Sequence, residues 1–165
     1  GSRLYEFINH YSAIFIIPIL IIAISALVPI RNWRKRIVIY ISIVVVGLIV
    51  IFNLQPGDSS VATESQAQAI ITSGQPVFVE FFSNTCTACL ASEPIVKSLE
   101  GAIKDNVHVL KVNVQDPIAS QLIRKYRAYV TPTFIVVGPN GEEVWRQSGG
   151  LLDKQAALKA LGICG

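Results

Sequence analysis

The 165-residue chain contains one segment that joins an apolar run to a pair of cysteines, VFVEFFSNTCTAC at residues 77–89. Its first six residues are apolar except for Glu80, and a run of this length is typical of a buried strand. A turn follows, and a helix is predicted from Thr87. Cys86 then lies at the amino end of that helix, and Cys89 lies one turn deeper on the same face. The segment therefore predicts a strand, a turn and a helix that presents two thiols.

The residues around this segment predict further helices and strands in alternation. Helices are expected at 62–73, 87–104, 117–128 and 152–161, and strands at 77–82, 107–114, 131–137 and 142–147. Asn140-Gly141 is a strong hairpin signal, so the last two strands should pair antiparallel. Parallel strands need helical crossovers. The order α-β-α-β-α-β-β-α therefore predicts an α/β fold with a mixed sheet flanked by helices.

This order of elements, with CxxC at the start of the second helix, resembles the thioredoxin superfamily over about residues 62–162. The features that match are the strand-to-cysteine segment 77–89, Glu80 where many members carry a buried acid, Lys111 on the next strand, Tyr129-Val-Thr-Pro-Thr-Phe134 around the family's cis-proline, and Gly149 after the last strand. The resemblance implies a thioredoxin-like fold, with Pro132 as the cis-proline, and thiol–disulfide exchange as the activity.

Two positions depart from the family pattern. Thr85 stands where a tryptophan usually precedes the first cysteine. Thr87-Ala88 stands between the cysteines, in place of the pairs found in thioredoxins, oxidases and isomerases. Both departures leave the redox potential and the choice of substrate open.

The candidate catalytic residues follow from the chemistry of disulfide exchange, which needs a thiolate. The amino end of a helix favours negative charge, so Cys86 is expected to be the nucleophile and Cys89 the resolving thiol. Burial would raise the pKa of Glu80 and let it exchange protons with Cys89, with Lys111 as a counter-charge. A structural ion pair between the two is the alternative interpretation.

The resemblance also implies a substrate-binding edge at Thr131-Pro132, where a cis bond would expose backbone groups for a substrate strand to pair with. An ordinary trans bond at the start of a strand is the alternative. We expect no metal, because a structural zinc site needs four suitably spaced ligands. The further candidates, His10, His108 and Cys164, supply no second ligand pair.

Haem attachment would require a histidine after Cys89, where this chain has Leu90. We expect no cofactor beyond a redox-active disulfide between Cys86 and Cys89. Cys164 is expected to be a mobile free thiol, with a regulatory or intermolecular disulfide as the alternative.

The first third of the chain holds most of its apolar excess. Overall 52% of the residues are hydrophobic and 15% are charged, against about 25% charged in a typical soluble domain. Residues 11–30 and 37–54 carry no charge, and about 20 residues of helix cross the roughly 30 Å hydrocarbon core of a bilayer. They predict a two-helix transmembrane hairpin. A cleaved signal peptide for the first run, or buried core helices for both, are the alternatives.

The loop between the two runs, Arg31-Asn-Trp-Arg-Lys-Arg36, is strongly basic and should face the cytoplasm, or the stroma or matrix of an organelle. The sequence thus predicts an N-terminal hairpin over residues 1–54, a linker over 55–61 and a thioredoxin-like domain over 62–165. Both termini and the domain would be extracytoplasmic, in the periplasm, at the cell surface or in a lumen. The net charge of +3 lies in the first 60 residues, which argues against a nucleic-acid-binding face.

These observations predict a membrane-anchored thiol–disulfide oxidoreductase that acts on extracytoplasmic proteins. The resemblance favours reduction over oxidation, as in cytochrome c maturation, with a membrane thiol-electron transporter as the electron donor. The partners would be protein thiols and disulfides and the lipid bilayer. The alternative is a non-catalytic subunit or scaffold of a larger membrane complex.

Overall fold

The computed structural model describes residues 2–28, 32–103 and 107–163. The helices are α1 Ser2–His10, α2 Ser12–Leu27, α3 Trp33–Leu54, α4 Glu64–Ile71, α5 Thr87–Glu100, α6 Ala119–Tyr126 and α7 Lys154–Ala160. The strands are β1 Val77–Phe82, β2 His108–Asn113, β3 Thr133–Val137 and β4 Glu143–Ser148. From α4 onward this order is the predicted one.

The sheet has four strands in the order β2-β1-β3-β4. β1 runs parallel to β2 and antiparallel to β3, and β3 and β4 form the predicted hairpin. The mixed sheet flanked by helices is therefore confirmed. Several elements are shorter than predicted because side chains cap their ends: Thr63 accepts a hydrogen bond from the Gln66 amide at the start of α4, and Asp153 accepts one from the Ala156 amide at the start of α7.

The alternation of side chains along β1 places Glu80 on the same side of the sheet as the cysteines. Val77, Val79 and Phe81 pack with α4 and α6 in one apolar cluster. Phe78 packs with α5 and α7 on the opposite face. Every residue of β1 is buried. Glu80 shares the second face and so points towards α5, which carries the two cysteines.

The N-terminal helices differ in part from the predicted spans. α3 begins at Trp33, four positions before the predicted start at 37, because the Asn32 side chain accepts a hydrogen bond from the Arg34 amide and caps the helix. Among the described residues, α3 is the one helix that is long and apolar enough to cross a membrane by itself. α2 has 16 residues, fewer than the predicted span 11–30. It passes the same test only together with α1, from which it is bent by 74°.

The helix α1 was not predicted from the sequence. Its neighbour α2 packs beside α3, where Gly47 leaves room for Ile17 and the hydroxyls of Ser25 and Tyr40 form a hydrogen bond. An apolar cavity of about 500 Å³ lies between these two helices, and Thr87 and Leu90 of α5 also line it. The helix that carries the cysteines therefore abuts α2 and α3.

The segment predicted as a polar linker lies along the outer edge of β2. The Gly57 amide donates to Asn84 Oδ1 at 3.0 Å, and Asn84 Nδ2 donates back to the Gly57 carbonyl at 2.9 Å. The Ser60 amide donates to the Lys111 carbonyl at 2.9 Å. These bonds cover a strand edge that would otherwise be open for pairing, and they attach the N-terminal helices close to the cysteines.

Candidate active site

Cys86 and Cys89 occupy the first turn of α5. Cys86 is the N-cap residue of the helix, in extended conformation, and the helix begins at Thr87. Both cysteines are free thiols, and neither has any exposed surface. The Cys86 thiol donates to the Thr131 carbonyl at 3.4 Å. The Thr131–Pro132 peptide bond is cis, and both residues are buried beside the thiol.

The two thiols differ in acidity. A hydrogen bond from the Cys89 thiol, helped by the backbone at the start of the helix and opposed by burial, lowers the pKa of Cys86 to about 6. Burial raises the pKa of Cys89, and the neighbouring Cys86 thiolate raises it further. Cys86 can therefore be a thiolate near neutral pH while Cys89 keeps its proton.

Glu80 and Lys111 are register partners on β1 and β2. The Glu80 side chain is completely buried, and Lys111 Nζ lies 3.6 Å from its Oε2, a distance that allows an ion pair but is long for a hydrogen bond. No group among the described residues hydrogen-bonds to either Glu80 oxygen. The buried carboxylate is thus only partly compensated by the lysine.

Lys111 is held instead by Glu93, a residue that sequence reasoning missed. Lys111 Nζ donates to both Glu93 oxygens at 3.3 Å, and the Glu93 side chain is 2% exposed. Glu100 Oε1 lies 3.8 Å from the same nitrogen. The signal was available in the sequence, because Glu93 comes four residues after Cys89 and so lies on the buried face of α5.

These contacts set the protonation of the cluster. Burial raises the pKa of Glu80 to about 8, with Lys111 opposing the rise and Glu93 and Glu100 adding to it. Burial lowers the pKa of Lys111, but the surrounding carboxylates outweigh burial and leave it raised. The lysine therefore stays charged, and Glu80 is the group that can gain or lose a proton near neutral pH.

Residues 9–13, which join α1 to α2, lie against the site; we call them the N-terminal strap. Asn9 Nδ2 donates to the Thr131 carbonyl at 2.9 Å, and the Thr131 amide donates to Asn9 Oδ1 at 2.7 Å. The Thr87 amide donates to Ser12 Oγ at 2.9 Å. Sequence reasoning placed this region at the edge of a membrane span and did not connect it with the cysteines.

Of the remaining sequence candidates, His10 lies in the N-terminal strap, and the others lie away from the site or outside the described residues. His108 is half-buried on β2. Within residues 2–28, 32–103 and 107–163, no group of three or more His, Cys, Asp or Glu side chains could hold a metal ion. Cys164, which was expected to be a free thiol, lies outside the described residues.

Comparison with known proteins points to one family. The family model described as Thioredoxin matches residues 59–161. Thioredoxin 1 from Chlorobaculum tepidum is 35% identical over 98 residues, which cover 56% of this chain and 92% of that protein. The solved structure of Fasciola hepatica thioredoxin superposes with a TM-score of 0.51 at 27% identity and covers 61% of this chain and 93% of that one.

A longer match comes from the Thioredoxin-like protein HCF164, chloroplastic, of Oryza sativa subsp. japonica. It is 27% identical over 139 residues, which cover 79% of this chain and 53% of that protein. This share is more than residues 59–165 alone can supply, so the similarity extends into the part of the chain before residue 59. The match with Thioredoxin Y1, chloroplastic, of Arabidopsis thaliana covers 52% of that protein. The chain thus spans about half the length of these two plant relatives.

Proposed function

The chain belongs to the thioredoxin family and is a thiol–disulfide oxidoreductase, and we propose that it reduces disulfides of extracytoplasmic proteins while anchored in a membrane. The observation that carries this proposal is the Cys86–Cys89 pair at the amino end of α5, with the Cys86 sulfur 3.4 Å from the Thr131 carbonyl. The dithiol would supply both electrons, and no other cofactor would be needed.

The proposed reaction has two exchange steps. The Cys86 thiolate attacks one sulfur of a substrate disulfide, which forms a mixed disulfide and releases the other substrate sulfur as a thiolate. Cys89 then loses its proton and attacks the Cys86 sulfur. The products are a Cys86–Cys89 disulfide and a substrate with two reduced sulfurs.

Glu80 is the proposed proton acceptor for the second step. Its carboxylate is buried and free of hydrogen bonds from the described residues, and its raised pKa, about 8, suits proton exchange near neutral pH. Lys111 is a positioning residue that limits how far this pKa rises. Thr131 and Pro132 would form the edge on which a substrate strand pairs.

For the membrane part, we propose that residues 1–54 form a hairpin with both termini and the 62–165 domain outside the cytoplasm. α2 and residues 37–54 of α3 carry no charge, and the basic stretch 31–36 lies between them; both features support this arrangement. Because Thr87 and Leu90 line the same apolar cavity as α2 and α3, the dithiol would lie close to the bilayer surface. A membrane thiol-electron transporter could then re-reduce it, and cytochrome c maturation is the proposed setting.

Substrate trapping by the full-length protein in its membrane tests this function. In Cys89→Ser the second step is blocked, so mixed disulfides through Cys86 should accumulate and be visible on non-reducing gels. Cys86→Ser is the matched control and should trap far less. A non-catalytic scaffold predicts no covalent adduct from either variant, and equal trapping by both would contradict the assigned roles.

A further inference from the structure

We propose that the N-terminal strap, through Asn9, selects the substrates of this enzyme: it occupies the edge at Thr131 on which a substrate strand would pair, and Cys86 reacts only when a partner displaces it. This inference concerns access to the dithiol, and it rests on the proposed function only in taking Thr131 as the substrate edge.

The Asn9 side chain satisfies the backbone groups of Thr131 in the way a peptide would. A side-chain amide has one acceptor and two donors, arranged as in a peptide group. Its oxygen accepts from the Thr131 amide at 2.7 Å, and its nitrogen donates to the Thr131 carbonyl at 2.9 Å. The Thr131 hydroxyl also donates to the Asn9 oxygen at 3.0 Å. A substrate strand cannot pair with Thr131 until these bonds are broken.

The rest of the strap is bonded to the turn before α5 and to its first residue. The hydroxyls of Ser83 and Thr85 both donate to the His10 carbonyl at 2.8 Å. The Ala13 amide donates to the Thr85 carbonyl at 2.9 Å. With the strap in this position Cys86 has no exposed surface, whereas a thiolate must be reached by the disulfide it attacks. The strap must therefore move before the exchange can begin.

The positions that depart from the family pattern are among those that contact the strap. Thr85, in the place of the usual tryptophan, bonds to His10 and Ala13 through its hydroxyl and its carbonyl. Thr87, between the cysteines, receives a hydrogen bond from Ser12 on its hydroxyl at 3.1 Å and donates one to Ser12 from its amide. Short hydroxyl side chains at both positions let the strap lie directly against the helix start, which accounts for the two departures together.

The docked strap also contains a feature that favours its release. His10 Nε2 is buried and has no hydrogen-bond partner among the described residues, and an unpaired buried polar atom disfavours the state that buries it. The chain is already bent by 74° between α1 and α2. A partner that supplies a backbone edge to Thr131 would replace the bonds of Asn9 and relieve this burial at the same time.

The test measures how fast iodoacetamide alkylates Cys86 in the full chain in lipid nanodiscs at pH 7, with the modified cysteine identified by mass spectrometry. Asn9→Ala should raise the rate about tenfold or more, because the loss of hydrogen bonds of ordinary strength increases the open population. Asn9→Asp keeps the acceptor and loses the donor, so its rate should lie between those of Asn9→Ala and the wild type. Asn53→Ala, the same change at a side chain bonded within α3, is the matched control and should leave the rate unchanged.

Equal alkylation rates for Asn9→Ala, Asn53→Ala and the wild type would overturn the proposal that the strap blocks access to Cys86, whether or not the enzyme is active. Insulin reduction, measured on the same samples, separates this outcome from a failure of the proposed function. An Asn9→Ala protein that is alkylated quickly but reduces no insulin would support the strap and contradict the activity. If Asn9→Ala proves unstable, Ala13→Pro removes the Ala13 donor in the first turn of α2, where proline is tolerated; it breaks one hydrogen bond of the strap and should raise the rate by less than Asn9→Ala.

Discussion

The inner and outer sides of the dithiol are built from different kinds of groups. Behind Cys89 lie three ionisable side chains from β1, β2 and α5: Glu80 and Glu93, which are buried, and Lys111, which is 14% exposed. In front of Cys86 lie amide and hydroxyl groups, among them those of Asn9, which comes from the other end of the chain, 122 residues from Thr131. The inner side can move protons and the outer side can open or close. Proton transfer at Cys89 and access to Cys86 are therefore controlled by different residues, and mutations can change one without the other.

The largest expected effect is on the inner side and concerns stability. Lys111→Met should lower the free energy of unfolding by about 3 kcal/mol at pH 8, because it leaves buried carboxylates without their cation. Lys97→Met is the matched control, since Lys97 lies 3.6 Å from the same Glu93 but is 63% exposed; it should change stability by no more than about 0.5 kcal/mol. Unfolding in guanidinium chloride measures the free energy of unfolding of both variants. Similar losses for the two variants would show that burial of the cluster is not what gives Lys111 its importance.

The next effect is on the rate of the resolving step, in which the mixed disulfide becomes the Cys86–Cys89 disulfide. Glu80→Gln should slow this step about a hundredfold, the usual size of general-base assistance, and leave the first attack by Cys86 unchanged. Glu80 accepts a proton only when ionised, so in the wild type the rate should rise with pH up to about 8, the raised pKa of this carboxyl. Single-turnover kinetics from pH 6 to pH 9 measure both. If the rate of Glu80→Gln rises with pH in the same way, the proton of Cys89 is accepted by another group.

The control variant for this pH profile is Glu93→Gln. Glu93→Gln removes a charge that raises the pKa of Glu80, and it frees Lys111 to bond to Glu80. The pH at which the rate of the resolving step rises should therefore be lower by about one unit. Glu100→Gln, at 3.8 Å from Lys111 and 33% exposed, should move it less. If neither variant shifts the pH profile, the pKa of Glu80 does not depend on the neighbouring carboxylates and the cluster has only a structural role.

The inner side could largely be predicted from the sequence, and the outer side could not. β1 and the start of α5 are determined by local patterns, an apolar run and a helix start, so the sequence could place Glu80 on β1 and the two cysteines at the start of α5. Glu93 was missed although its position, four residues after Cys89, places it on the buried face of α5. The strap depends on contacts between residues more than 70 positions apart, such as Ser12 with Thr87, and no local pattern carries that information.

The smallest expected effect concerns the outer side and its response to acid. Burial lowers the pKa of His10 below its usual 6.5, although Glu6 and the Tyr129 carbonyl oppose the change. A histidine whose pKa is lower when docked binds more protons when released. The docked strap therefore has its full stability above pH 6.5 and loses stability as the pH falls below that value. From pH 7 to pH 5.5, hydrogen-exchange protection of the Thr131 amide, which Asn9 holds, should fall by about fivefold. His10→Gln has no titrating ring and should show little change over this range. An equal loss of protection in the two proteins would mean that the strap is released by something other than the protonation of His10.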